Sequence, residues 1–195
     1  MNLIKTIQSI SLLEWIGVFF NILQVLLAWK NKAINYIFGI LGACITMYLC
    51  YNAQLFAEAG LNLYYVIMSV YGIILWLTKN ENNEELPITF TNKIDWFKSL
   101  LIFSVALVTL IYILHRYTTS DVVIADALVS AFAWAGMWLM AKRKVENWLI
   151  LNISNLLAIP LFIHKDMYLY AVLSVILFTV AMISYFDWRK LATKL

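Results

Sequence analysis

Charge is scarce in this chain. Only 13% of its 195 residues are charged, against about 25% in soluble domains, while 64% are hydrophobic. A water-soluble chain of this size could not hide so much apolar surface, so the surplus faces lipid. Within lipid every backbone N–H and C=O must be satisfied inside the chain, which leaves helices or a closed barrel. The apolar runs are about 20 residues long and do not alternate in and out, so they read as helices. Glycine is limited to six residues, and no Gly-rich phosphate loop is among them. No Ser–His–Asp or Cys–His arrangement and no paired mid-membrane carboxylates occur, which argues against an enzyme and against proton coupling. The only cysteines, Cys44 and Cys50, lie six apart in one apolar run. On a helix they point to different faces, so neither a disulfide nor a metal pair is expected. His115 and His164 lack ligand spacing and read as interfacial residues. No cofactor is expected.

Seven apolar segments are present, at 11–29, 34–53, 60–78, 96–115, 122–141, 146–164 and 167–187. Each is near the ~20 residues a helix needs to cross. Lys5 could head a signal peptide, but the following stretch is long enough to span and no small-residue cleavage site ends it. The polar stretch 79–95, with Pro87, is the only plausible linker. Eleven Lys/Arg residues fall in the odd-numbered loops and the C-terminal tail, against three (Lys5, Arg116 and Lys165) elsewhere. By the positive-inside rule the N-terminus is outside and the C-terminus in the cytoplasm. The net charge of +3 is therefore a topology signal and not a nucleic-acid one, and Lys142-Arg143-Lys144 reads as a topology determinant. Trp15, Trp29, Trp96 and Trp188 read as an interfacial belt.

Shifting the sequence by 112 residues aligns Glu14 with Asp126, Lys30 and Lys32 with Lys142 and Lys144, Asn35-Tyr36 with Asn147-Trp148, and Trp76 with Trp188. This internal repeat joins helices 1–3 to helices 5–7. Helix 4 is needed to return the chain, so both units run the same way. The expected fold is an all-α membrane protein of seven transmembrane helices in a 3+1+3 parallel-repeat arrangement. Its parts are a first unit at 1–78, a linker and helix 4 at 79–121, and a second unit with the tail at 122–195. Such repeats belong to transporters, with the solute site at the midplane between the units; packing alone is the competing explanation. Glu14, in Ser11-Leu12-Leu13-Glu14, fits a capping box, and Asp126 likewise complements a helix dipole, with attraction of a cationic solute as the alternative.

Polar residues at membrane depth are functional suspects. Asn62, Tyr65, Ser69, Gly72 and Trp76 share one face of helix 3. Trp148, Asn152, Asn155 and Ile159 make a similar stripe on helix 6. Asparagines offer both donor and acceptor, and aromatic faces stack flat rings and attract cations. Together the stripes suit a ligand with a flat ring and hydroxyl or amide groups, while for any one Asn a purely helix-joining role weighs equally.

Two passages resemble the PnuC-type bacterial vitamin transporters. One runs from Ala57-Glu58-Ala59-Gly60-Leu61-Asn62-Leu63-Tyr64-Tyr65 to Tyr71-Gly72 and Trp76. The other runs from Asp126 through Met137-Trp138-Leu139 to Lys144-Val145-Glu146-Asn147-Trp148. The family's helix-6 pattern of Trp, Trp three on and Asn four further reads here Trp148, Leu151 and Asn155, so the middle Trp is lost. In helix 3 Asn62 stands for a Gln, and Ile73 for a Trp. The resemblance covers nearly the whole chain and implies the 3+1+3, SWEET-like layout. It also implies facilitated diffusion of a vitamin precursor across the bacterial inner membrane, with a cytosolic kinase trapping it by phosphorylation. Nicotinamide riboside is the first expected substrate and thiamine the second. The candidate substrate contacts are Asn62, Tyr65, Ser69, Tyr71, Trp76, Trp148, Asn152 and Asn155. The expected partners are the vitamin, the lipid bilayer and the kinase, and a homo-oligomer is left open. A SWEET-type sugar carrier is disfavoured by the near absence of proline. A heptahelical sensor would show no net flux.

Overall fold

The computed structural model describes residues 11–52, 56–79, 83–118 and 122–194, without the side chains of residues 50, 52 and 56–61. The described chain forms seven α-helices: α1 Leu12–Trp29, α2 Asn35–Asn52, α3 Phe56–Leu77, α4 Lys93–Tyr117, α5 Val123–Ala141, α6 Asn147–His164 and α7 Tyr168–Thr193. Five (α1, α4, α5, α6 and α7) are long and apolar enough to cross a membrane, and the described apolar stretches of α2 and α3 are shorter. Large side chains such as Phe97, Val105, Val108 and Tyr112 on α4 stand exposed. A helix with that surface needs hydrocarbon around it. Lys5, Cys50 and the stretch from Ala57 to Leu61 lie outside the described side chains.

The helix starts follow local chemistry. Ser11 Oγ accepts from Glu14 N at 3.2 Å and Glu14 Oε1 accepts from Ser11 N at 3.3 Å, the reciprocal pair of a capping box. Asn92 caps α4 by accepting from Asp95 N at 2.8 Å. Asp126, in the first turn of α5, is ion-paired with Lys165.

Six helices pack in a closed cycle: α1 on α2, α2 on α3, α3 on α5, α5 on α6, α6 on α7, and α7 back on α1. In that order α2 lies opposite α6. Helix α4 stands outside the cycle and packs mainly on α5. There the small residues Ala127 and Ala131 admit Ala106, Leu110 and Leu114 closely, as small residues do between helices in lipid.

The 112-residue offset recurs in the hydrogen bonding. Trp76 Nε1 donates to Ala141 O at 3.1 Å, and Trp188 Nε1 donates to Trp29 O at 3.1 Å. Asn35 Nδ2 donates to Lys32 O, and Asn147 Nδ2 to Lys144 O. The two turns between helices also correspond: Asn31 (φ 55°) and Arg143 (φ 50°) both take the left-handed conformation. Their N–H groups donate to Ala28 O and Met140 O, each at 2.9 Å.

Three sequence expectations change. Trp188 is not interfacial: it is fully buried, because its indole closes the α7–α1 seam. Arg143 is more than a topology charge. It is buried, its guanidinium lies 4.4 Å over the Trp76 ring, and it reaches Glu85 Oε2 at 3.3 Å and the Leu86 carbonyl. The stretch 79–95 is not a free linker either. Thr89 N donates to Arg143 O at 3.1 Å and Val145 N to Thr89 O at 3.0 Å. Glu146 Oε2 accepts from Thr91 N and Oγ1, and Lys144 pairs with Asp95 at 3.2 Å. Backbone pairing and charge-assisted bonds strap this segment across the α5–α6 turn.

Candidate functional site

One end of the helix cycle is closed by aromatic rings. It is the end of the α1–α2 and α5–α6 turns, the strap and the α7 C-terminus. Tyr36 meets Trp76 edge-on at 5.1 Å, Trp76 meets Trp188 at 6.0 Å, and Trp188 meets Trp148 edge-on at 5.3 Å. All four are buried, together with Ala28, Ile88 of the strap, Met140 and Val145. The rings come from α2, α3, α7 and α6, so they join opposite sides of the cycle into a floor. Gly72 makes the closure feasible: a Cβ there would lie 2.3 Å from Tyr36 Cζ. Burial holds the Arg143 guanidinium below the ordinary arginine value, and its hydrogen bond to Glu85 opposes that shift.

Above the floor lies a belt of polar groups. Asn152 on α6 is 6% exposed, and neither its Oδ1 nor its Nδ2 has a hydrogen-bond partner. Ser69 on α3 is 1% exposed, and its Oγ has none. Tyr36 Oη and Trp148 Nε1, at the floor, are also buried without partners. Buried polar groups are nearly always paired, and leaving one unpaired costs roughly 1–3 kcal/mol. Asn152, Ser69, Tyr36 and Trp148 thus carry unused hydrogen-bonding capacity at and above the floor. Asn155 is half-buried two turns beyond Trp148. At 1.5 Å per residue, Asn152, Asn155 and Ser69 sit roughly 8–12 Å in from their helix ends, toward mid-helix.

The predicted residues therefore separate. Trp76 and Trp148 form the floor, and Ser69, Asn152 and Asn155 fall at the belt. Asn62 and Tyr65 are half-buried farther along α3. Tyr65 lies edge-on to Tyr64, which stacks on Trp134 of α5 at 4.1 Å. Tyr71 is half-buried and lies two positions beyond Ser69, about 200° around the helix, off the stripe. Helices α3 and α6 do not pack on each other; α5 lies between them in the cycle. Tyr36 and Trp188 lie outside both stripes, although the 112-residue offset pairs them with Trp148 and Trp76. Gln24 on α1 also lies outside them, and its amide reaches over Gly39 of α2 beside Ser69.

Residues 11–190 match the family described as nicotinamide mononucleotide transporter. The chain belongs to the nicotinamide mononucleotide transporter family. It is a multi-pass membrane transport protein and not an enzyme. Among curated members, it is 24% identical to the nicotinamide riboside transporter PnuC of Escherichia coli (strain K12), over 89% of this chain and 83% of that protein. It is 29% identical to the PnuC of Neisseria mucosa, over 72% of this chain and 55% of that protein. The crystal structure of the vitamin B3 transporter PnuC superposes with a TM-score of 0.73 at 23% identity, covering 93% of this chain and 82% of that one. That likeness extends the family assignment to the fold.

Proposed function

We propose that this chain carries nicotinamide riboside into bacterial cells across the cytoplasmic membrane by facilitated diffusion, and that a cytosolic kinase traps it by phosphorylation. The observation that carries the reading is the belt of unpartnered, buried Ser69 and Asn152 above the aromatic floor, in a family whose relatives above are named for the riboside. The riboside has the matching chemistry: a flat cationic ring, an amide and sugar hydroxyls. In this reading Ser69, Asn152 and Asn155 hold the solute directly. Asn62 and Tyr65 line the approach from outside, Trp76 and Trp148 shut the inner exit, and Tyr71 lies at the margin.

The 3+1+3 arrangement accompanies this reading, with units at 1–78 and 122–195 joined through 79–121. The seams α3–α5 and α7–α1 are tied by equivalent Trp-to-carbonyl bonds, as expected of parallel repeats about an axis along the membrane normal. The Lys/Arg distribution sets the N-terminus outside and the floor at the cytoplasmic end. With the floor shut, solute enters from outside, and release requires the Trp76–Trp188 contact to part.

Leu151 stands where the resembled pattern has a Trp, and thiamine, which also carries a cationic aromatic ring, is the second candidate. Titration calorimetry of the purified protein decides between them. The riboside is expected to bind and thiamine to bind more weakly. Thiamine binding without riboside binding would reverse the assignment.

A further inference from the structure

We infer that Gln24 joins Ser69 in a polar wall of the solute site and is the residue of that wall that selects for sugar hydroxyls. The inference rests on the riboside reading. It starts from a pair of triads related by the 112-residue offset: Gln24, Gly39 and Ser69 in the first half, Gly136, Leu151 and Ala181 in the second. A Cβ on Gly39 would lie 2.8 Å from Gln24 Nε2 and 3.2 Å from Ser69 Oγ. The amide from α1 and the hydroxyl from α3 thus converge on the bare backbone of α2. Gly39 shares the buried face of α2 with Tyr36 and Ala43, and that face is turned to the interior of the helix cycle.

The second half reverses large and small. A Cβ on Gly136 would lie 2.7 Å from Leu151 Cδ2. The bulky side chain therefore comes from α6 and the bare backbone from α5, with Ala181 buried where the first half has Ser69. Since α2 and α6 are opposite, the amide–hydroxyl wall faces the Leu151 wall across the interior. Ser69 is buried and unpartnered, so the polar wall has hydrogen-bonding capacity to give. A solute fitting this interior carries hydroxyls along the edge that meets Gln24 and Ser69, and a ring face with its own amide toward Leu151 and the Asn152 and Asn155 amides of α6, as nicotinamide riboside does.

A ligand-deletion comparison tests this on purified full-length protein. Wild type and Gln24→Leu are titrated with nicotinamide riboside and with its 2′,3′-dideoxy form. Wild type is expected to prefer the riboside by about tenfold or more, the effect of leaving hydroxyl partners unpaired. Gln24→Leu is expected to lose most of that preference by weakening the riboside alone. A purely structural Gln24 would lower both affinities together, and that result overturns the inference. Leu151→Ala is expected to weaken both ligands by similar factors. If Gln24→Leu does not fold, Gly39→Ala displaces the same amide, and it too must lose the preference. A wild type that binds the riboside but does not discriminate it from the dideoxy form refutes the polar wall alone. A wild type that binds neither refutes the riboside reading, and the hydroxyl assignment falls with it.

Discussion

Gly72→Ala is a one-carbon test of the floor. The added Cβ would lie 2.3 Å from Tyr36 Cζ, 2.4 Å from Cε1 and 2.7 Å from Oη. Real side chains do not approach so closely, so the phenol ring must move. It has little freedom to do so: Tyr36 is 1% exposed and is held edge-on to Trp76 at 5.1 Å. Overpacking of this kind costs roughly 1–3 kcal/mol. A clash with a ring this tightly held belongs in the upper half of that range, about 2–3 kcal/mol, and alanine returns about 1 kcal/mol of helix propensity over glycine, so the net loss is about 1–2 kcal/mol. For a chain of this length that corresponds to a fall of roughly 2–8 °C in Tm. Thermal unfolding in detergent, followed by tryptophan fluorescence, measures it. The decisive arm is a cycle with Tyr36→Ala. With the phenol gone, Gly72→Ala is expected to become neutral or stabilising, because only the propensity gain remains. An unchanged Tm for the single variant, or a penalty that persists in the Tyr36→Ala background, would refute the packing argument.

Asn152→Leu removes an unpaired buried amide and is expected to raise Tm while abolishing riboside binding, a trade of function for stability; calorimetry and thermal unfolding on one sample check both. Trp188→Phe and Trp76→Phe each delete an indole N–H bond to a carbonyl across a seam. Each is expected to cost about 1 kcal/mol, and similar losses from the two variants in denaturant titrations would match the two-fold correspondence. Glu146→Ala frees both Thr91 contacts and is expected to loosen the strap, seen as faster tryptic cleavage at Lys93 with the helical content retained.

The number and positions of the helices were legible in the sequence, because lipid demands helices of a fixed length and punishes breaks. The capping box at Ser11–Glu14 was legible because its chemistry is local. The landmarks of the 112-residue offset were legible as matching polar and aromatic residues, and two of them, Asn35 and Asn147, make the same bond to the carbonyl three residues earlier. The packing of Arg143 was not legible because a basic loop residue looks alike whether or not it also packs on a ring; its burial depends on Trp76, 67 positions away. The strap was hidden for a related reason, since its partners are an α5–α6 turn that no local pattern names. Gln24 escaped because a single amide in α1 forms no stripe. Its role rests on Gly39, where a missing side chain is the signal, and absence is hard to read from one chain.

Counterflow in proteoliposomes addresses the central claim most directly. Purified protein is reconstituted into vesicles loaded with unlabelled nicotinamide riboside, and labelled riboside is added outside. Facilitated diffusion predicts saturable, transient accumulation of label above protein-free vesicles, without any imposed ion gradient and unchanged by a protonophore. No accumulation by protein that remains folded, or accumulation only when an ion gradient is imposed, would contradict the account.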